Sequence, residues 1–387
     1  MGARGYIGSA VSTGLEVGGA ESFGVAPGTY RHLYLEVPGA VRPAELGGEG
    51  ASAEWARLLG LECALRSARG ILVSPEPSSL LIGGVAPASL GRALPRLVRE
   101  LLEAPELRVG EWTVEVEPGW EGGVAADPRS TVGDWMEGGV TRICLRADPT
   151  ARPGGWSDER VSLLENIAEL DPPVLAADLI FRPGDETLPA LFELLDRLQG
   201  SGVSHLSFYE GAEEDSASGE RLAHAWRALR DRASDLGFES TDVVNLALPG
   251  AVSSMATAIQ RRWPILGLGP GARSFRNPRR SWNVSAWTHY RDRLNRGLEP
   301  GAGGEILSPA EVRLERIWSR LPTREGMRIP LGLGRDEPRL RAWRRAGWVE
   351  WGAGRIRLTP EGILRLDGIA VDLAELLSAP RRGAPDL

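Results

Sequence analysis

The chain has 387 residues, 42% of them hydrophobic, which suits one large domain with a smaller companion and a real buried core. Its formal net charge of -7 gives no long-range attraction to nucleic acid or anionic lipid, and no apolar run is long enough for a membrane span or a secretory leader, so a cytoplasmic protein is expected. All 45 basic residues are arginine, which removes lysine Schiff-base and Walker-type chemistry; the four histidines include no pair at the i, i+4 spacing of helical zinc sites.

Residues 1–30 are rich in Gly, Ala, Ser and Val without periodicity and predict a flexible tail with no function assigned. From Tyr30 short apolar runs alternate with amphipathic stretches. Strands are expected at 33–37, 79–84, 112–116, 141–145, 174–181 and 203–209, with helices at 55–67, 89–102, 131–138, 159–170 and 188–198. Such alternation predicts an α/β fold with a parallel sheet, open or curled into part of a barrel. A Gly- and Pro-rich stretch from Glu299 to Glu305 reads as a boundary, after which Ser308 and Glu311 form a capping-box signal. An Arg-rich helix at 338–346, two short strands around a Gly-containing turn in WVEWGAGRIRLT, and a last helix from Pro360 suggest a small winged-helix-like module. The two cysteines, Cys63 and Cys144, lie among apolar residues and read as buried, inert thiols.

Several segments carry a resemblance. LGFESTDVVNLALPG at 236–250 is similar to AGYEQYEISNFARPG, and PILGLGPGARSF followed by RRSWNV is similar to DYLGLGPGAHSY and RRYWNV. LYLEVPGAVRPAELG from Leu33 resembles a strand and Cys-x3-Cys-x2-Cys loop, LIGGVAPASL at 81–90 resembles FFGGGTPSLL, and EWTVEVEPG at 111–119 resembles a strand containing EANPG. GGVTRICLRADPT at 138–150 resembles AGVNRLSLGVQSF, and AADLIFRPGDET at 176–187 resembles IDLIYGLPGQT. On these motifs the chain resembles the coproporphyrinogen III oxidase-like radical S-adenosylmethionine (SAM) family, nearest its heme-chaperone branch, HemW. The resemblance covers nearly everything after residue 30.

The resemblance implies a partial (β/α)6 TIM-like radical-SAM barrel with its extension over 31–300 and a C-terminal domain of that family over 301–387. It also implies a [4Fe-4S] cluster, SAM and heme as cofactors, and oxidoreductase or heme-chaperone activity. The cluster ligands are missing: Ala40, Ala44 and Gly47 occupy the three cysteine positions and Glu36 that of the usual His, and no methyl group or hydrogen binds iron. No cofactor and no metal ligand are therefore expected. A vestigial SAM pocket is expected at Tyr34, Gly83, Gly84, Glu115 and Asp178, with Glu115 in the place of the carboxylate that meets the SAM amino group. Val85 and Ala86 replace Gly and Thr of the SAM loop, adding bulk and removing a hydroxyl. Asp148 stands where a SAM-contacting Gln would be. The His-Asn-x-x-Tyr-Trp element associated with heme falls on residues 255–260, where Met255 is the one side chain able to ligate heme iron.

Gly267, Gly269, Pro270 and Gly271 are expected to form a tight turn, with Trp282 and Asn283 anchoring it. The reading is a non-catalytic binding or scaffold protein, with an unidentified protein or a tetrapyrrole-like molecule as partner. The alternatives are a working radical SAM oxidoreductase or heme chaperone, and a generic α/β enzyme using Glu115, Asp148 and Asp178 as acids and bases.

Overall fold

Six parallel strands in chain order carry the molecule. The computed structural model describes residues 24–41, 49–120, 127–182, 188–211, 219–330, 333 and 337–378. Residues 1–23 of the expected tail lie outside them, but its end is structured: β1 (Gly28–Tyr30) pairs in parallel with β3 (Ile71–Val73), and Tyr30 is fully buried. The central run is β2 (His32–Val37), β4 (Ser79–Gly84), β5 (Glu111–Val116), β6 (Arg142–Leu145), β7 (Val174–Phe181) and β8 (His205–Glu210), each parallel to the next. The crossover helices are α1 (Glu49–Ser67), α2 (Leu94–Leu101), α3 (Pro128–Glu137), α4 (Asp158–Ala168) and α5 (Leu188–Gly200), with α6 (Gly219–Asp235) after β8. The run stays open. β8 continues into antiparallel β10 (Asn245–Ala247) and β9 (Glu239–Ser240), while β2 continues into parallel β11 (Ile265–Leu268) and then β12 (Arg273–Arg276), β13 (Arg279–Asn283) and β14 (Gly301–Ile306). The α/β class expected from the alternation is what the chain forms.

Alternation along each strand decides which side chains meet the helices. Leu33, Leu35, Leu80, Ile82, Val114 and Ile143 are fully buried in the main apolar cluster, together with Trp55 of α1 and Leu94 and Val98 of α2. Side chains at the intervening positions, such as Tyr34, Thr113, Glu115, Cys144 and Asp178, fall on the opposite face. The period of two therefore places an apolar set under the helices and a polar set inside.

Two elements differ from expectation for local reasons. The helix expected over 89–102 begins only at Leu94, because Gly91 adopts φ +61° inside a 3-10 turn (Ala88–Ala93) and Pro95 suits the first helical turn. The Gly-rich stretch before residue 306 is strand β14, and Gly303 lies opposite Trp282; a Cβ there would come within 2.9 Å of the indole, so glycine makes room for the ring.

The expected Gly turn is present. Gly269 has φ +107° and no room for a Cβ, which would meet the Glu36 carbonyl at 2.6 Å. Its N–H donates to Glu62 (2.9 Å), and its carbonyl accepts from Asn283 Nδ2 (2.8 Å), which also donates to Glu62 (2.8 Å). Arg66 and the Tyr290 hydroxyl complete the partners of the fully buried Glu62 carboxylate. A buried carboxylate is tolerable here because it is paired and hydrogen-bonded.

The remaining elements are α7 (Ser254–Arg261), α8 (Trp287–Asn295), α9 (Pro309–Arg320), α10 (Pro338–Arg345), α11 (Pro360–Ile363) and α12 (Leu366–Ser378). β15 (Met327–Arg328), β16 (Val349–Gly352) and β17 (Arg355–Leu358) form an antiparallel sheet in the order β15-β17-β16. Ser308 and Glu311 make the expected capping box of α9. A second apolar cluster, including Ile317, Leu321, Trp343, Ile356 and Leu373, holds this block together, with Val243 of the first block packed against it.

Candidate functional site

The polar faces of β5 to β8 line a cavity of about 130 Å³. Thr113 and Glu115 come from β5, Arg142 and Cys144 from β6, Asp178 from β7, and His205, Ser207 and Tyr209 from β8. The remaining wall is built by α7, by residues 242–245, and by Trp318 and Ser319 of α9. Trp318 is held by its Nε1, which donates to Asp367 of α12 at 2.9 Å. Asp242 is spent structurally, accepting from the N–H groups of Val244 and Asn245 (both 2.7 Å) and from Gln260 (2.5 Å).

The floor is fixed by polar contacts at the strand starts. Arg142 donates to the Ala251 carbonyl (3.0 Å) and faces Glu111 at 3.9 Å. Glu111 in turn accepts from Ser254 N–H (2.9 Å) and Met255 N–H (3.4 Å), so a carboxylate closes the N-terminus of α7 beside the Ser253 N-cap. His205 lies between two acceptors, the Ala251 carbonyl and Asn245 Oδ1 (3.1 Å each); burial and the nearby Arg142 charge push its pKa down to about 3, so the ring is neutral and donates to one of them.

The upper rim collects carboxylates. Tyr34 OH donates to Glu36, and Gly83 lies so close to Tyr34 and Glu115 that a Cβ would meet the Glu115 carboxylate at 2.8 Å. Arg146, immediately after β6, donates to the Gly84 carbonyl and stands 3.9 Å from Glu115. Burial raises Glu115 to about 7, with Asp178 and Glu36 adding to the rise and Arg146 opposing it. Burial also raises Glu36, Asp178 and the Cys144 thiol. Cys144 Sγ donates to Asp178 at 3.7 Å, and Trp156 Nε1 holds the Asp178 carbonyl at 2.8 Å. Such a set can exchange protons and pair with a polar ligand.

Of the five residues expected in the vestigial pocket, Glu115 and Asp178 line the cavity, Tyr34 and Gly83 lie beside Glu115 on the inner face with Glu36, and Gly84, at the end of β4, presents its carbonyl to Arg146. Asp148 does not join them: its Oδ1 caps its own loop through Thr150 N–H (2.8 Å) and hydroxyl (2.7 Å). Val85 is half exposed and sits over Gly39, while Ala86 is fully buried. Met255 packs with Tyr34, Leu81 and Ala272 in a small apolar cluster, 3% exposed. Ala40 lies in the short turn Gly39–Val41; Ala44 and Gly47 lie outside the described residues. Neither thiol is fully enclosed: Cys63 packs on the main core, with burial raising its pKa to about 12, and Cys144 lines the cavity. Arg146, Arg142, Ser207 and Tyr209 were not singled out by sequence; alternation along β6 and β8 was the available signal. Among the described residues, no group of three His, Cys, Asp or Glu side chains is placed to hold a metal ion, and no helix is long and apolar enough to cross a membrane.

No protein-family model matches the chain, and no curated protein matches it. Among solved structures, coproporphyrinogen III oxidase from Escherichia coli, described as a radical SAM enzyme, is similar over 90% of this chain and 91% of its own, at 16% identity and a TM-score of 0.66. SuiB of Streptococcus suis bound to SAM is similar over 54% of this chain and 44% of its own, at 15% identity and a TM-score of 0.33, too low to bear on the fold. The chain thus shares the α/β fold of that oxidase, and its two cysteines form no clustered triad.

Proposed function

We propose that the chain is a radical-SAM-type scaffold that has lost the [4Fe-4S] and SAM chemistry and acts as a non-catalytic binding or scaffold protein. One observation carries this reading: the two cysteines of the whole sequence stand on α1 and β6, and residues 38–48 between β2 and α1, where the resemblance implies the cluster loop, contain none. The residues present do not fit a cluster, since iron needs thiolate or imidazole donors and the positions in question hold Ala40, Ala44 and Gly47. Reductive cleavage of SAM has no electron source without it.

In this reading the inner-face cavity holds a small molecule, and the link to heme or porphyrin metabolism follows from the HemW-like motifs. The protein is cytoplasmic. Residues 31–300 act as the barrel with its extension, and residues 301–387 as a C-terminal winged-helix-like domain that closes the cavity through Trp318. Anaerobic incubation with iron and sulfide tests the reading. No stoichiometric iron and no charge-transfer absorbance are expected; a stoichiometric cluster overturns it.

A further inference from the structure

Arg146 occupies the upper rim in a way the strand pattern alone does not require. In the aligned motifs it stands where the family sequence LGVQ carries Gly, directly after Leu145. Its backbone is firmly held: the N–H donates to Val116 (3.0 Å), and the carbonyl accepts from Arg160 Nε (2.7 Å), a side chain only 1% exposed. From this anchored position the guanidinium reaches across β5 to the Gly84 carbonyl, with Glu115 3.9 Å away.

The receiving side is equally constrained. Gly84 has φ +108°, and a Cβ there would meet Glu36 Oε1 at 2.4 Å and the Val37 carbonyl at 2.6 Å. Only glycine permits this backbone, which sets the Gly84 carbonyl toward Arg146 while its backbone hydrogen-bonds Glu115. A carbonyl and a carboxylate converging on one point make a site for a cation with N–H donors.

We infer that Gly84 and Glu115 form a cation-binding corner and that Arg146 is its built-in occupant, supplying in cis the positive charge that a SAM-type ligand would bring through its amino group. The corner stands on the geometry; naming the displaced ligand rests on the proposed loss of SAM chemistry. With its cation already supplied, the site discriminates against ligands that dock through an ammonium or guanidinium group.

Chemical rescue tests this. Arg146→Gly empties the corner, and methylguanidinium is the probe, with neutral methylurea as its size-matched control. The expected result is a saturable rise in melting temperature of Arg146→Gly with methylguanidinium. That rise is absent with methylurea, absent in the parent chain, and abolished in the double variant with Glu115→Gln. Equal responses from parent and variant, or no saturable response, overturn the inference. Arg146→Ala, which restricts the backbone more than glycine, serves if the glycine variant does not fold, and is read the same way. Iron incorporation is a separate readout: a chain that builds a cluster yet shows rescue would sink the proposed loss of chemistry and leave the corner standing.

Discussion

Glu115 sits on the inner face with Glu36 and Asp178 on neighbouring strands and one guanidinium, Arg146, beside it. Burial favours its neutral form, lifting the pKa from 4.5 to about 7. Between those values the folded chain holds a proton that the unfolded chain has released, so Glu115 makes stability fall as pH rises through that window. A shift of this size corresponds to about 3 kcal/mol at full effect. Glu115→Gln removes the ionisation. The variant is expected to gain stability relative to the parent chain between pH 4 and pH 8, measured by urea unfolding; a pH-independent difference would contradict the assignment. Glu115 and Asp178 stand out in the sequence because the resemblance covers their strands. It did not place Arg146 on the Gly84 carbonyl, since the reach of a long side chain across a neighbouring strand depends on register and on the anchoring Arg160. The apolar neighbours of Cys144 suggest an inert thiol, yet the pleat turns it toward Asp178, away from Ile143 and Leu145.

Helix α7 shows the same dependence one level up. It occupies the segment where the resemblance implies a heme-associated motif, and it is held by its N-terminus: Ser253 caps it, and Glu111 accepts from Ser254 and Met255. Glu111→Ala removes an acceptor shared by three groups and leaves the buried Arg142 without its carboxylate. A loss of about 3–5 kcal/mol is expected in denaturant unfolding, with Ser253→Ala costing nearer 1 kcal/mol. Equal effects from the two variants would show that the Glu111–Arg142 pair contributes nothing beyond a cap. No local motif announces this clamp, because its partners are about 140 residues apart in sequence. The strands at 79–84 and 174–181 and the capping box at Ser308 were legible from local pattern. β14 was not: its glycines signal a linker by composition, and only the indole of Trp282 explains them.

At the scale of the molecule, the parallel order β2-β4-β5-β6-β7-β8 follows from strand-helix alternation, since each crossover returns the chain to the same sheet edge. Its extension by β11–β14 on one side and β10–β9 on the other depends on long-range pairing that periodicity does not encode. The superposition on a coproporphyrinogen III oxidase across 90% of the chain at 16% identity means that the architecture persists where most side chains differ. Fold alone does not fix activity, and the chemistry rests on the inner face. There Glu115, Asp178 and Ser207 line the cavity and a guanidinium rests on the Gly84 carbonyl. Isothermal titration of the full chain with SAM shows most directly whether this scaffold has given up SAM itself, as the Arg146 guanidinium on the Gly84 carbonyl leads one to expect. No saturable heat is expected; stoichiometric, saturable binding of SAM to the unmodified chain would overturn that expectation.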